Sequence, residues 1–162
     1  MSESLADNPE ETAPVAGLLR RLAALLYDAF LVAAIWMALG ALVQYTFGIT
    51  NQLVDGHAQT DPIIGGILFV GMLCSAAGFY IWFWMRTGQT LGMLAWRIQV
   101  VSSNGSTMSL KQALLRWVLA WPSFFCFGVG YLWHYIDAHG NAIHDILSGT
   151  QVIVVAKGGR NF

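Results

Sequence analysis

Two long apolar runs constrain this chain more than anything else in it. Leu22–Phe47 is a 26-residue stretch interrupted only by Asp28 and, near its end, Gln44, while Ile63–Met85 runs 23 residues without a charge. Crossing the roughly 30 Å hydrocarbon core of a bilayer takes about 20 apolar residues in a helix. Both runs suffice, with some tilt. Composition agrees: charged residues make up 10% of the chain and hydrophobic ones 56%, against roughly 25% charged in an ordinary soluble domain. A water-soluble protein of 162 residues needs more polar surface than this, so lipid is the expected solvent for much of it.

The flanks give orientation and organisation. Residues 1–16 carry Glu3, Asp7, Glu10 and Glu11 with Pro9 and Pro14 and show no apolar period. They read as a disordered acidic tail, lacking the basic start and apolar run of a secretory signal. Residues 17–156 read as the membrane domain and 157–162 as a short basic tail. No Lys or Arg occurs from Leu22 through Met85, whereas Arg20 and Arg21 precede the first run and Arg86, Arg97, Lys111 and Arg116 follow the second. Basic residues stay on the cytoplasmic side, which puts the N-terminus and residues 86–112 there. The polar connection 48–61, with Asp55, His57 and Asp61, falls on the far side. A net charge of −1 gives no reason to expect a nucleic-acid partner.

A third segment, Ala113–Tyr135, is long enough to cross but contains Arg116, Pro122, Gly128 and Gly130. It is expected to be a broken helix, either spanning or dipping in and returning. Short β-branched runs complete the picture. Arg97–Val101, the Asn104-Gly105 turn and Thr107–Leu110 predict a small cytoplasmic β-hairpin, and Thr150–Val155 is a further strand that would gain by pairing with it. The expected fold is therefore an all-α membrane protein with two transmembrane helices, a third broken hydrophobic segment and a small hairpin.

Asp28 is the most informative single residue. A carboxylate facing acyl chains costs several kcal/mol, so Asp28 must meet protein or water, either as a structural pair with a basic group or as a cation or proton site. Arg21 lies seven residues earlier on the same helical face, about 10 Å along the axis, and is read as an interfacial anchor or a contact for a partner or phosphate. Asp137 is placed to begin a turn. Asp145 is expected to cap a turn or pair with Arg97 or Arg116. In the second run, Gly71 and Ser75, like Cys74 and Gly78, are four residues apart, a spacing that lets helices approach closely in lipid. Cys74 and Cys126 read as small hydrophobes. His134, His139 and His144 match no metal-ligand spacing, so neither a metal nor another cofactor is expected. Gly88–Gly92 (GQTLG) reads as a structural turn, since the Lys-Ser/Thr of a phosphate loop is absent. No nucleophile elbow, triad spacing or nucleotide fingerprint appears, and no enzymatic activity is expected.

Several of these stretches together resemble the RDD family, small bacterial membrane proteins named for one Arg and two Asp. Arg21 opens, and Asp28 closes, the matching part of RRLAALLYD; Asp145 lies in HDILSGTQVIVV; and GQTLG, RIQVV, the LLR ending at Arg116 and GYLWHYID resemble the family's middle portion. The likeness runs from Leu18 to Ala156. Met93 departs from it, standing where family members commonly carry Lys. The resemblance implies a multi-pass protein of the bacterial inner membrane, N-terminus inside, and raises Arg21, Asp28 and Asp145 as its functional positions. Two functions then compete. One is a cation/proton transporter or transporter subunit, with Na+ or H+ as ligand, acting as a homo-oligomer because two or three spans do not enclose a path. The other is an accessory, assembly or regulatory subunit of a membrane protein complex.

Overall fold

A computed structural model describes residues 13–47, 52–54, 57–59, 61–125, 129–137 and 140–155. In chain order these form α1 (Leu18–Phe47), β1 (Gln52–Val54), β2 (His57–Gln59), α2 (Pro62–Arg86), α3 (Leu91–Ala95), β3 (Ile98–Ser102), α4 (Leu110–Phe125), α5 (Val129–Leu132), a 3-10 turn at Trp133–Tyr135, α6 (Ile143–Ser148) and β4 (Thr150–Val154). They divide into two bodies, residues 29–79 and the remainder on either side.

Both apolar runs are helical as expected. With 30 and 25 residues, α1 and α2 measure about 45 and 37 Å, and both are long and apolar enough to cross a membrane. Local chemistry sets the ends of α2. Pro62 stands at its first position, where a missing N–H costs nothing, and the Asp61 carboxylate accepts from the Ile63 N–H at 2.8 Å. Gly88 stops it at the other end in the left-handed conformation (φ 68°), where an added Cβ would lie 2.5 Å from the Val100 carbonyl oxygen.

In the 29–79 body, large apolar side chains such as Phe30, Met37, Ile67 and Phe69 are exposed, the surface a lipid-facing pair presents. Gly71 brings α2 against Leu39 of α1, and the Trp36 indole N–H donates to the Met72 carbonyl at 3.0 Å. The small-residue positions divide. Gly71 faces α1, while Cys74 and Gly78 are exposed, with open space around Gly78. The polar connection contains a feature its sequence does not announce, since β1 and β2 pair antiparallel, Gln52 opposite Gln59. Asp55 lies outside the described residues.

The other body is built on an antiparallel β3–β4 pair, running from Ile98 opposite Val154 to Ser102 opposite Thr150. Ile98, Val100 and Val152 point into a core with Ala16, Ala24, Trp84, Met108 and Ala113. The hairpin expected between 97–101 and 107–110 does not form. The Asn104-Gly105 turn is present, with Gly105 at φ 76°, but the chain leaving it enters α4. Ser109 and Gln112 explain the difference: the Gln112 side chain accepts from the Ser109 N–H at 3.0 Å and the Ser109 hydroxyl from the Gln112 N–H at 3.3 Å. This reciprocal capping box commits Leu110 to a helix and leaves β3 to pair with the distant TQVIV run. The tail read as 1–16 also ends sooner. Val15 bridges Ile153, and the Ala16 N–H donates to the Val152 carbonyl at 2.8 Å, so residues 14–16 lie bonded along β4.

Candidate functional site

Three residues spaced along one face of α1 point into the β-containing body: Arg21, Ala24 and Asp28, 7%, 1% and 1% exposed. Positions i, i+3 and i+7 share a helical face. The two charged members of this face reach different partners.

Arg21 meets Asp145, 124 residues away, in a buried ion pair. Its Nε donates to the Ala16 carbonyl at 2.8 Å and its second terminal nitrogen to the Gly140 carbonyl at 3.4 Å. The other oxygen of Asp145 pairs with Arg116, which also donates to the Thr150 hydroxyl at 2.7 Å. Gln112, one turn earlier on α4, donates to the Ser102 hydroxyl and the Gly149 carbonyl at 2.9 and 3.1 Å. That turn of α4 is therefore pinned to both strands. Asp145 also accepts from the Ala142 N–H at 3.1 Å, capping α6. Arg97, proposed from sequence as a partner, is not part of this cluster. It is exposed and occupies a left-handed corner (φ 52°) before β3, where its carbonyl accepts from Val155. Asp137 is apart as well, in the turn anticipated for it, accepting from the Asn141 N–H at 2.8 Å.

Two guanidiniums and one carboxylate leave the cluster with one excess positive charge. The Trp84 ring lies 5.3 Å from the Arg116 guanidinium carbon, and its negative face offsets part of that excess. His144 adds no charge near neutral pH. Burial first, then the neighbouring Arg116, pushes its ring down to about 4, although its Nε2 lies 3.5 Å from Asp145. Burial alone would raise the Asp145 carboxyl, but Arg116 and Arg21 outweigh it and hold Asp145 well below the usual carboxylate range.

Both shifts are downward, and both therefore contribute stability that is full above the unfolded-state value and is lost as pH falls. For His144 the loss begins near its ordinary 6.5 and continues towards about 4, a window worth about 3 kcal/mol. The detergent-solubilised protein is expected to melt progressively lower from pH 7 to pH 5, and His144→Gln to flatten that slope. A wild-type melting temperature constant across this range rejects the assignment.

Asp28 has no arginine, lysine or histidine partner among the described residues. Its carboxylate accepts from the Thr90 hydroxyl at 2.5 Å and the Gly92 N–H at 2.8 Å, and the same hydroxyl accepts from the Met93 N–H at 3.2 Å to cap α3. The GQTLG turn thus supplies what lipid cannot. A Cβ on Gly92 would lie 2.2 Å from the Ala24 carbonyl oxygen and 2.9 Å from the Asp28 carboxyl carbon, so the backbone approach requires glycine. The sequence placed Thr90 and Gly92 in a turn and Thr150 in a strand but did not show that they, or Trp84, meet the buried charges. Thr90 leads a short apolar stretch three residues before Met93, a cap spacing that could have found it, whereas Thr150 had no local signal. His139 and Cys126 lie outside the described residues.

Two helices long and apolar enough to cross a membrane, taken with the family match that follows, point to a membrane protein. The chain belongs to the RDD family, whose model matches residues 15–149 and so includes Arg21, Asp28 and Asp145. No curated protein and no solved structure matches the chain.

Proposed function

We propose that this protein is a multi-pass accessory or assembly module of a bacterial inner membrane, working by association with other membrane proteins or with further copies of itself and not by catalysis. The observation that carries this reading is how fully its own groups occupy the two buried acids. Asp145 is held by two guanidiniums and a backbone N–H, and Asp28 by a hydroxyl and a backbone N–H. Arginine, both aspartates and the GQTLG turn then serve as clamps that fix α1, α3, α4 and α6 together. The exposed Cys74–Gly78 face of α2 is the surface left for another helix.

The strand pairing supports a topology. Strands 98–102 and 150–154 pair, and residues 14–16 bridge to the second of them, an arrangement in keeping with an even number of crossings between 102 and 150. That favours a segment 113–135 that returns over one that crosses once. It keeps Arg20, Arg21, Arg86, Arg97, Lys111 and Arg116 on one side, cytoplasmic by the distribution of basic residues.

Ion transport is the second reading, favoured by one feature: among the described residues Asp28 is buried with neutral donors, an arrangement also suited to taking up a proton or alkali cation in an oligomer. Proteoliposomes loaded with a pH dye separate the two. The accessory reading expects no proton movement in response to a Na+ or K+ gradient, and a photocrosslinker at Gly78 is expected to yield a discrete adduct in cells. Cation-driven proton flux that Asp28→Asn abolishes, in a protein that still folds, would replace it with transport.

A further inference from the structure

α4 has two unlike faces. Ala113 and Arg116 are buried inward, and Gln112 and Arg116 tie that side to Ser102, Thr150 and Asp145. Outward, Leu110, Leu114, Leu115, Val118, Trp121 and Phe125 are all exposed. These positions follow a helical stripe for about 22 Å, and its first half forms a shallow open groove in which Lys111 joins Leu110, Leu114, Leu115 and Val118. Six large apolar side chains on one face of a helix are not a water-facing surface.

We propose that this face rests on lipid, with α4 lying in the plane of the cytoplasmic bilayer interface and Lys111 reaching anionic headgroups. The proposal deepens the reading of the chain as a membrane protein and rests on it. Three observations select lipid as the occupant. The body that contains α4 also contains the ends of both spanning helices, residues 18–28 and 80–86, so a bilayer is already beside it. Leu19, Leu22 and Leu26 of α1, in that same body, are exposed apolar side chains too. The one charge in the stripe is a lysine, whose long stem buries along apolar surface while its ammonium stays in the headgroup layer.

The polar ties select the in-plane orientation. Gln112 and Arg116, one turn apart, reach the end of β3 and the start of β4, so the inward face of that turn lies against the sheet's edge and α6. A helix driven into the hydrocarbon would carry those groups away from their partners, and Arg116 would lose Asp145. The apolar character of 113–135, which on sequence suggested insertion, is in α4 the signature of an amphipathic helix with one wet and one greasy side.

Nitroxide labels provide the test, placed one at a time at Lys111, Leu114, Val118 and Trp121 in a Cys74→Ala, Cys126→Ala background and reconstituted in phosphatidylcholine–phosphatidylglycerol vesicles. Collisions with oxygen are expected to exceed those with a nickel chelate at 114, 118 and 121, all at similar shallow depth, with 111 shallower. Chelate-dominated collisions indicate water, and protection from both reagents indicates protein contact; either overturns the proposal, as does a depth that grows steadily from 111 to 121. A label at Phe69 in α2 provides the reference. Deep oxygen contact there, with failure at 114 and 118, removes the α4 inference and leaves the membrane assignment standing.

Discussion

Asp145→Asn is expected to lower the stability of the detergent-solubilised protein by about 3–5 kcal/mol, the usual cost of stripping one partner from a buried charge pair. The side chain keeps its size, so no cavity contributes. What changes is charge and donor count. Arg21 and Arg116 would remain 7% and 4% exposed with no anion between them. One of the positions that accepted their hydrogen bonds would become an amide N–H₂ pointing at donors. Against a total stability of about 5–15 kcal/mol, this loss is enough to deplete the folded protein in cells. Arg20→Gln, one position from Arg21 but exposed, serves as the control and is expected to stay within about 0.5 kcal/mol of wild type. Double substitution sharpens the result: Arg116→Met combined with Asp145→Asn should cost less than the sum of the two alone, since Arg116→Met removes one of the two guanidiniums that Asp145→Asn leaves without an anion. An Asp145→Asn protein that melts like wild type would show that the ion triad does not hold the body together.

What was legible in the sequence followed from solvent physics, and what was not followed from long-range pairing. Leu22–Phe47 and Ile63–Met85 could be read because lipid imposes a length and forbids charge, and no tertiary contact is needed to see it. The cost of Asp28 in that run was equally legible: something other than lipid had to meet its carboxylate. Its partner was not. Thr90 and Gly92 are neutral residues 62 and 64 positions away, and charge matching points to arginines instead. Nothing local to Asp145 distinguishes Arg116, which reaches it, from Arg97, which does not, or singles out Arg21, 124 residues away, as its second partner. Thr107–Leu110 was misread because β-propensity and the Asn-Gly turn spoke for a strand, while Ser109 and Gln112 three residues apart spoke for a helix start. The cap won because it satisfies backbone donors that a two-stranded hairpin would have left unpaired at its edge.

Gly92→Ala is the second large effect expected, a loss of about 3 kcal/mol or more from one methyl group. Overpacking a well-packed site usually costs about 1–3 kcal/mol, and here the obstacles are hard to move. The nearest atom to the new Cβ is a backbone carbonyl oxygen of α1, at 2.2 Å, followed by the Asp28 carboxyl at 2.9 Å. α3 would have to back away from α1, which breaks the Gly92 N–H bond to Asp28 and strains the one from Thr90. A buried acid would then be left short of the only donors it has among the described residues. Gly40→Ala, in α1 where an added Cβ meets nothing within 4 Å, is the matched control and should be neutral or slightly stabilising, because alanine is the better helix former. The mechanism predicts coupling as well. If Gly92→Ala acts by withdrawing donors from Asp28, then Asp28→Asn should cost less in the Gly92→Ala background than in wild type, whereas strict additivity would mean that α3 and the Asp28 carboxylate contribute independently. A Gly92→Ala protein as stable as wild type would be the more damaging outcome, since the contact that brings GQTLG against α1 would then not exist as described, and Asp28 would again need a partner.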